Sequence, residues 1–483
     1  MFVFVSQLQS NEATNERQLP VRIGKRGFQA RIKGDLRIEF GDEKLTSFAG
    51  LELVRRFVRA LGFASELRRS AQKLGLGGDV SLAQLVLTIV GMLLAGAKRL
   101  HHVAFLADDP VFLRFAGLAR APSERSLSRT LKKLTFRTWP ELDRLATIVA
   151  RAGLTDVDAG RWTLDIDGSV LTTGLQVERA ERGFNPHHRK NPSYYPILCI
   201  VAQTGHVLGH QNRRGNVHDS HGAAEFLRRN VRTVRDELGF TGTVEVRVDG
   251  AFFKREFLAA CDGCRVEYAV KVPMMPWLNL RAIVKKHPAR DWQWVDRKLG
   301  VQALDTVLPI DAWNRTERAV IYRKRINHRS PKSHQLDLFN PDDGEWEYSV
   351  VATNKTLTPR ALWHFQNGRG TQEKTIGELK SGLAFATIPT NRYSANTAWQ
   401  KLNVLAHNLV TTFQLATTAT EKPRTLKRTA LYCLRSINTL RFELLGKAGR
   451  LLRPGGAPVL RLASNDATRL AYEKIERELR KAA

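Results

Sequence analysis

Trp162-Thr163-Leu164-Asp165-Ile166-Asp167, followed by Gly168-Ser169, is the stretch on which the reading of this chain turns. The alternation predicts a strand, with Leu164 and Ile166 on one face and the carboxylates of Asp165 and Asp167 together on the other. An acid on an apolar strand is costly unless it is paired or bound to a cation. Acids are also scarce here: 76 Lys+Arg stand against 47 Asp+Glu in 483 residues, a net charge of +29.

Downstream, Ile197–Ala202, a Gln-Thr-Gly turn and Val207–Gln211 predict a hairpin. Ser220–Leu238 predicts a helix whose apolar face is Phe226, Leu227, Val231, Val234 and Leu238. Val244–Asp249 predicts a second strand that stops at Asp249-Gly250, and Tyr268–Val272 a third. Tyr348–Thr353 returns to strand, one helix is predicted from Pro359 to Gly382, and another around Trp399–Gln414. Strands and helices in this order predict a mixed α/β layer fold rather than a bundle. Between Met274 and Gly344 the character changes. Trp277, Trp292, Trp294 and Trp313, the basic strand Arg318–Ile326 and the loop Asn327–Gly344 predict an inserted β-rich subdomain.

Upstream, Leu45 to Ala152 is helical, with Leu51, Val54, Phe57, Val58 and Leu61 marking one apolar face. Val80–Ala97 is largely apolar, but Ser81, Gln84 and Thr88 interrupt it and it is short for a bilayer crossing. It reads as a buried helix, and no membrane partner is expected. In Pro122–Leu134, Ser123 is a candidate N-cap and Leu127, Leu131 and Leu134 form the inner face. Arg125, Arg129, Lys132 and Lys133 lie mostly outside that face. The pattern suits the recognition helix of a helix-turn-helix, and equally a basic helix facing solvent. Residues 421–483 carry 15 Lys+Arg against 6 Asp+Glu.

A charge excess of this size favours a polyanionic partner over a merely soluble basic protein, and with a membrane disfavoured the expected partner is nucleic acid. Four cysteines make no disulfide framework. Cys261 and Cys264 supply at most half of a zinc site, and reduced cytosolic thiols are the simpler reading. Met1–Gln7 lacks the basic and apolar regions of a signal peptide. A cytoplasmic, nucleoid-associated protein is expected.

A further acid lies in Gln366–Lys380. On a helix, Arg369, Glu373, Ile376 and Lys380 stack along one face, while Glu378 points elsewhere. Asp167 or Asp165, with Asp249 and Glu373, would bring carboxylates from two strands and one helix together. Such a set can hold two hard divalent cations, which stabilise the attacking and leaving oxygens of an in-line phosphoryl displacement. Arg369 and Lys380 would bind the flanking phosphates. For any one of these acids alone, a surface ion pair is the simpler explanation.

With these blocks in order, the chain resembles bacterial insertion-sequence transposases of the DDE type, which have a ribonuclease-H-like catalytic core. Leu164–Ser169 looks like the family's first Asp strand and Arg247–Phe252 like its second. The signature Tyr-x2-Arg-x3-Glu-x6-Lys is matched by Arg369, Glu373 and Lys380, with Gln366 at the Tyr position beside Phe365. Gly215–Asp219 and Leu45–Gly50 look like the 1380 group of insertion sequences.

The resemblance implies a ribonuclease-H-like mixed sheet with flanking helices, interrupted by the β-rich insertion. It also implies a catalytic triad of Asp167, Asp249 and Glu373 using Mg²⁺, for which Mn²⁺ can substitute. Asp167 is preferred over Asp165 because Gly168-Ser169 matches the polar exit of the family's block; Asp165 then supports it. The implied domains are an N-terminal helical DNA-binding region (1–155), a catalytic domain (156–273 and 346–415), the insertion (274–345) and a basic C-terminal region (416–483). Double-stranded DNA is the implied partner, as terminal inverted repeats and as target, with a homodimer in the synaptic complex. Trp292 or Trp294 could stack on a flipped base, although packing of the insertion accounts for either tryptophan. Alternatives are a metal-dependent nuclease or resolvase on the same fold, or a non-catalytic DNA-binding relic.

Overall fold

In the computed structural model, the residues described are 24–33, 35–41, 44–75, 80–157, 159–183, 190–325, 346–463 and 465–481. Met1–Gln7 and the Asn327–Gly344 loop lie outside them. Residues 1–43 are a unit of their own, whose described part includes a helix at Lys25–Lys33. Lys44–Ala483 is the second unit.

The second unit starts with helices α1 (Leu51–Ala60), α2 (Phe63–Leu74), α3 (Leu82–Ala95), α4 (Pro110–Ala116), α5 (Glu124–Lys132) and α6 (Trp139–Leu154). The apolar run at 80–97 becomes α3. Ser81 and Gln84 cap each other's backbone at its start, and Leu85, Val86, Ile89, Met92 and Leu93 are wholly buried. Among the described residues, no single helix is long and apolar enough to cross a bilayer.

The strands are β1 (Arg161–Gly168), β2 (Ile197–Val201), β3 (Val207–Gln211), β4 (Thr243–Val248), β5 (Glu267–Val272), β6 (Gln293–Asp296), β7 (Val301–Ile310), β8 (Arg315–Arg325) and β9 (Trp346–Thr353). They form one sheet in the order β3-β2-β1-β4-β5-β9-β8-β7-β6. The β1-β2-β3 ladder is antiparallel, and β4 and β5 add to the other side of β1 in parallel. This is the ribonuclease-H-like arrangement. The inserted strands β6–β8 continue this sheet through β9 instead of standing apart, because β9 pairs with β5 on one side and β8 on the other.

One face of β1, Trp162, Leu164 and Ile166, packs with Phe226, Leu227 and Val231 of α7 (Ala223–Arg232) and Phe257 and Leu258 of α8 (Arg255–Gly263). The other face meets α9 (Pro359–Asn367) through Arg247 and the start of α10 (Gly370–Gly377) through Asp167, and the long α11 (Tyr393–Thr417) packs on the neighbouring β2. Trp399, Leu402 and Leu409 of α11 join Leu198 and Ile200 of β2 in the core shared with α1–α6. Asn408 of α11 accepts from the Val207 N–H and donates to its carbonyl, both at 2.9 Å, which satisfies backbone groups at the β3 edge. The basic C-terminal segment folds back on the helical region. Its strand Gly449–Leu452 pairs with Leu45–Thr46, and α12 (Asp466–Lys481) buries Ile475 and Leu479.

Candidate active site

β1 and β4 run parallel, with Asp165 opposite Arg247. Two residues further on, Asp167 and Asp249 stand at the C-terminal ends of neighbouring strands, whose axes lie about 4.8 Å apart in any sheet. Asp167 accepts from the Gly168 N–H (2.9 Å) through Oδ1 and from Arg369 Nη2 (2.9 Å) through Oδ2. Asp249 caps the turn Gly250–Phe252, accepting from the Ala251 N–H at 3.0 Å. Burial pushes the Asp167 carboxyl up to about 7; Arg369 opposes the rise, and the carboxylates of Asp249 and Asp219 add to it.

Asp165 is placed quite differently. Its two oxygens accept from Nε and Nη2 of Arg247 at 2.7 and 2.9 Å, and neither side chain is exposed at all. A carboxylate committed in this way to a buried guanidinium is a structural ion pair. The remaining Arg247 nitrogen, Nη1, donates to the Phe365 carbonyl and to Thr429 Oγ1.

That contact explains a departure from the expected single helix between Pro359 and Gly382. Arg247 takes the carbonyl through which α9 would propagate, and the chain breaks at Gly368 before α10 begins. A Cβ on Gly368 would stand 2.8 Å from Arg247 Nη1, so the wedge needs a glycine there. The break makes Arg369 the N-cap residue of α10 and sends its guanidinium to Asp167 and to Gln372 Oε1 (3.0 Å).

Gln366, at the signature's Tyr position, is buried and donates to the Val248 carbonyl at 3.0 Å, holding the end of β4 just before Asp249. Lys380 lies in the wide turn after α10 and donates to the Val170 carbonyl at 2.9 Å, with burial lowering its pKa. Through this bond it fastens the exit of β1. Glu373 is exposed on the first turn of α10, and its carboxylate makes no hydrogen bond or ion pair with the described residues. Among the described residues, no three His, Cys, Asp or Glu side chains converge closely enough to hold a metal as they stand. Asp167 and Asp249 nonetheless suit a hard divalent cation, since they offer only oxygens and such ions keep several waters.

Asp219, Tyr195 and Arg213 also stand at this end of the sheet, a placement that the local sequence pattern does not predict. Tyr195 donates to Asp219 Oδ2 at 2.8 Å, and Arg213 reaches Oδ1 at 3.4 Å. Burial raises the Asp219 carboxyl, and Asp249 contributes in the same direction. The Gly215–Asp219 block was the available signal, but nothing in its spacing ties it to the end of β1.

Of the two tryptophans considered for base stacking, Trp292 is buried with the Arg323 guanidinium 4.1 Å from its ring centre, so that face is taken. Trp294 is 44% exposed. On α5, Ser123 accepts from the Ser126 N–H at 3.2 Å, Leu127, Leu131 and Leu134 are buried, and Arg125, Arg129 and Lys132 are exposed.

A ribonuclease-H-like sheet with paired aspartates at the ends of its two central parallel strands defines a class of phosphoryl-transfer enzymes that use divalent metal ions. Over residues 28–483 the chain matches the family described as "Transposase DDE domain group 1", and it belongs to that family. It is thus a DDE transposase, an enzyme that cuts and transfers DNA. Among solved structures it is similar to a piggyBac transposase in a synaptic complex with hairpin DNA, at 11% identity and a TM-score of 0.41, covering 82% of this chain and 80% of that one. No curated protein matches it in sequence.

Proposed function

We propose that this transposase recognises the terminal inverted repeats of an insertion sequence, cuts a strand at each end and joins the freed 3′-hydroxyl to target DNA. One observation carries the reading: Asp167 and Asp249 lie side by side at adjacent strand ends, facing the helix that brings Arg369 to Asp167. Asp167 and Asp249 would hold the divalent cation, Mg²⁺ or Mn²⁺, with Glu373 completing the set. A cation held by these residues would supply charge neutralisation at the attacking and leaving oxygens.

Arg369 takes the phosphate beside the reacting one, its planar fork suiting that oxyanion. Lys380 and Gln366 keep the ends of β1 and β4 in place. Arg125, Arg129 and Lys132 grip the duplex at the repeat, and the basic segment 421–483 adds phosphate contacts. Trp294 offers the open aromatic face for an unpaired base. Two copies pair the two ends as a homodimer, at the nucleoid in the cytoplasm.

Asp249→Asn is expected to abolish cleavage in Mg²⁺ and in Mn²⁺ while end binding in a gel-shift assay stays at the parent's affinity. Cleavage retained by the purified variant would overturn the proposal.

A further inference from the structure

We infer that Asp219 is a fourth acidic residue of this active centre, a positioning residue that acts on the cation held by Asp167 and Asp249 through the cation's bound water. The inference rests on the reading of those two aspartates as cation ligands. It adds a residue to the site already described and creates no second site.

The carboxylate of Asp219 lies against the backbone at Gly168, the residue directly after Asp167. A Cβ at that position would overlap Asp219 Oδ1 and stand 2.7 Å from the Tyr195 ring. Glycine at 168 is therefore what lets the Asp219 carboxylate approach the end of β1 next to Asp167. The side chain is only 13% exposed, and a buried carboxylate needs compensation. What it receives is partial: one hydroxyl from Tyr195 at 2.8 Å and a longer reach from Arg213 at 3.4 Å.

The support behind it is fixed. Arg213 is 4% exposed. It donates to the carbonyls of Tyr195 (3.0 Å), Asp219 (3.1 Å) and His221 (3.1 Å) and lies over the Tyr195 ring at 5.3 Å. The loop carrying Asp219 is thus pinned to the strand entry beside β1. Each carboxylate oxygen has two acceptor directions, and Tyr195 and Arg213 use one apiece. Among the described residues nothing else hydrogen-bonds this carboxylate, which leaves acceptor capacity for the waters that a Mg²⁺ or Mn²⁺ ion retains. Partners in such an outer shell change metal affinity by roughly 10- to 100-fold.

The test is Mn²⁺ binding to the full-length, DNA-free protein, read by the electron paramagnetic resonance signal of free Mn²⁺, with thermal melting of the same samples. Asp219→Asn keeps the shape and one acceptor for Tyr195. It is expected to weaken Mn²⁺ binding roughly 10-fold without lowering the metal-free melting temperature. Asp249→Asn is expected to lose Mn²⁺ binding altogether. Parent-like affinity in Asp219→Asn, with binding lost in Asp249→Asn, would overturn the role of Asp219 and leave the cation reading standing. Parent-like affinity in both would overturn the cation reading and this inference with it. If Asp219→Asn melts low, Tyr195→Phe decides: it keeps the carboxylate but removes its hydroxyl support, and should weaken Mn²⁺ binding in a protein that melts like the parent. Unchanged affinity there would refute the role of Asp219.

Discussion

Replacing Asp165 by Ala and Asp167 by Asn should move stability in opposite directions, although the two carboxylates sit two residues apart on one face of β1. Asp165→Ala leaves the Arg247 guanidinium, itself wholly buried, without its counter-charge. Breaking a buried pair from one side costs about 3–5 kcal/mol. Replacing both partners, Asp165→Leu with Arg247→Met, should recover much of that loss, since no charge is then left behind.

Asp167 is the reverse case. Its folded pKa, about 7, lies above the ordinary aspartate value of 3.8. The fold therefore disfavours the ionised form, and stability that is complete below about pH 4 is lost as pH rises through 7. Asp167→Asn removes that penalty. The full shift corresponds to about 4 kcal/mol at 1.36 kcal/mol per pK unit. Partial exposure and the lost Arg369 contact reduce the expected gain to about 1–3 kcal/mol at pH 8, shrinking to nothing near pH 4. Urea melts of the metal-free protein at pH 8 and pH 5 measure both effects. Asp165→Ala as stable as the parent, or Asp167→Asn less stable than the parent at pH 8, would refute the assignment of one acid to structure and the other to chemistry.

Three other outcomes follow from the same geometry. Gly168→Ala pushes a methyl group into Asp219 and the Tyr195 ring; overpacking of this kind costs about 1–3 kcal/mol, and a melt unchanged from the parent would show that the Gly168–Asp219 approach is not close. Trp292→Ala should cost about 3–5 kcal/mol, whereas Trp294→Ala should change stability by under about 0.5 kcal/mol and weaken binding to ends carrying an unpaired base; equal melting losses for the two would contradict their placements. Neutralising Arg125, Arg129 and Lys132 together should flatten the dependence of DNA affinity on log salt by about 0.9 for each phosphate contact removed; an unchanged slope would take α5 out of the DNA interface.

The strands were legible from the sequence because Trp162–Asp167 and Val244–Asp249 alternate apolar with polar residues, while Ile197–Ala202 is a short apolar run closed by a Gln-Thr-Gly turn. All three appear where these patterns predict them, although the sheet buries both faces of each strand and not one. The α5 helix was equally legible, from Ser123 and the spacing of Leu127, Leu131 and Leu134. The helix from Pro359 to Gly382 was not. Its periodicity runs straight through Gly368, and the break comes from Arg247, 121 positions earlier in the chain, whose guanidinium claims the Phe365 carbonyl. The insertion was legible as β structure but not as part of the central sheet, because strand pairing depends on backbone partners that composition does not encode.

By itself, then, the sequence determined the mixed α/β core, the helical N-terminal region and the basic balance, and it put acids at the ends of two strands, since all of these follow from local alternation, spacing and charge; between Asp165 and Asp167 it left the choice to the family resemblance. Only the tertiary structure decided which of two neighbouring acids is spent on an ion pair, which residues hold the strand ends, and that Asp219 stands beside Asp167. Asp165 and Asp167 have the same residue type and the same strand face. What separates them is a cation 82 positions away, and a buried charge is governed by whatever surrounds it in space.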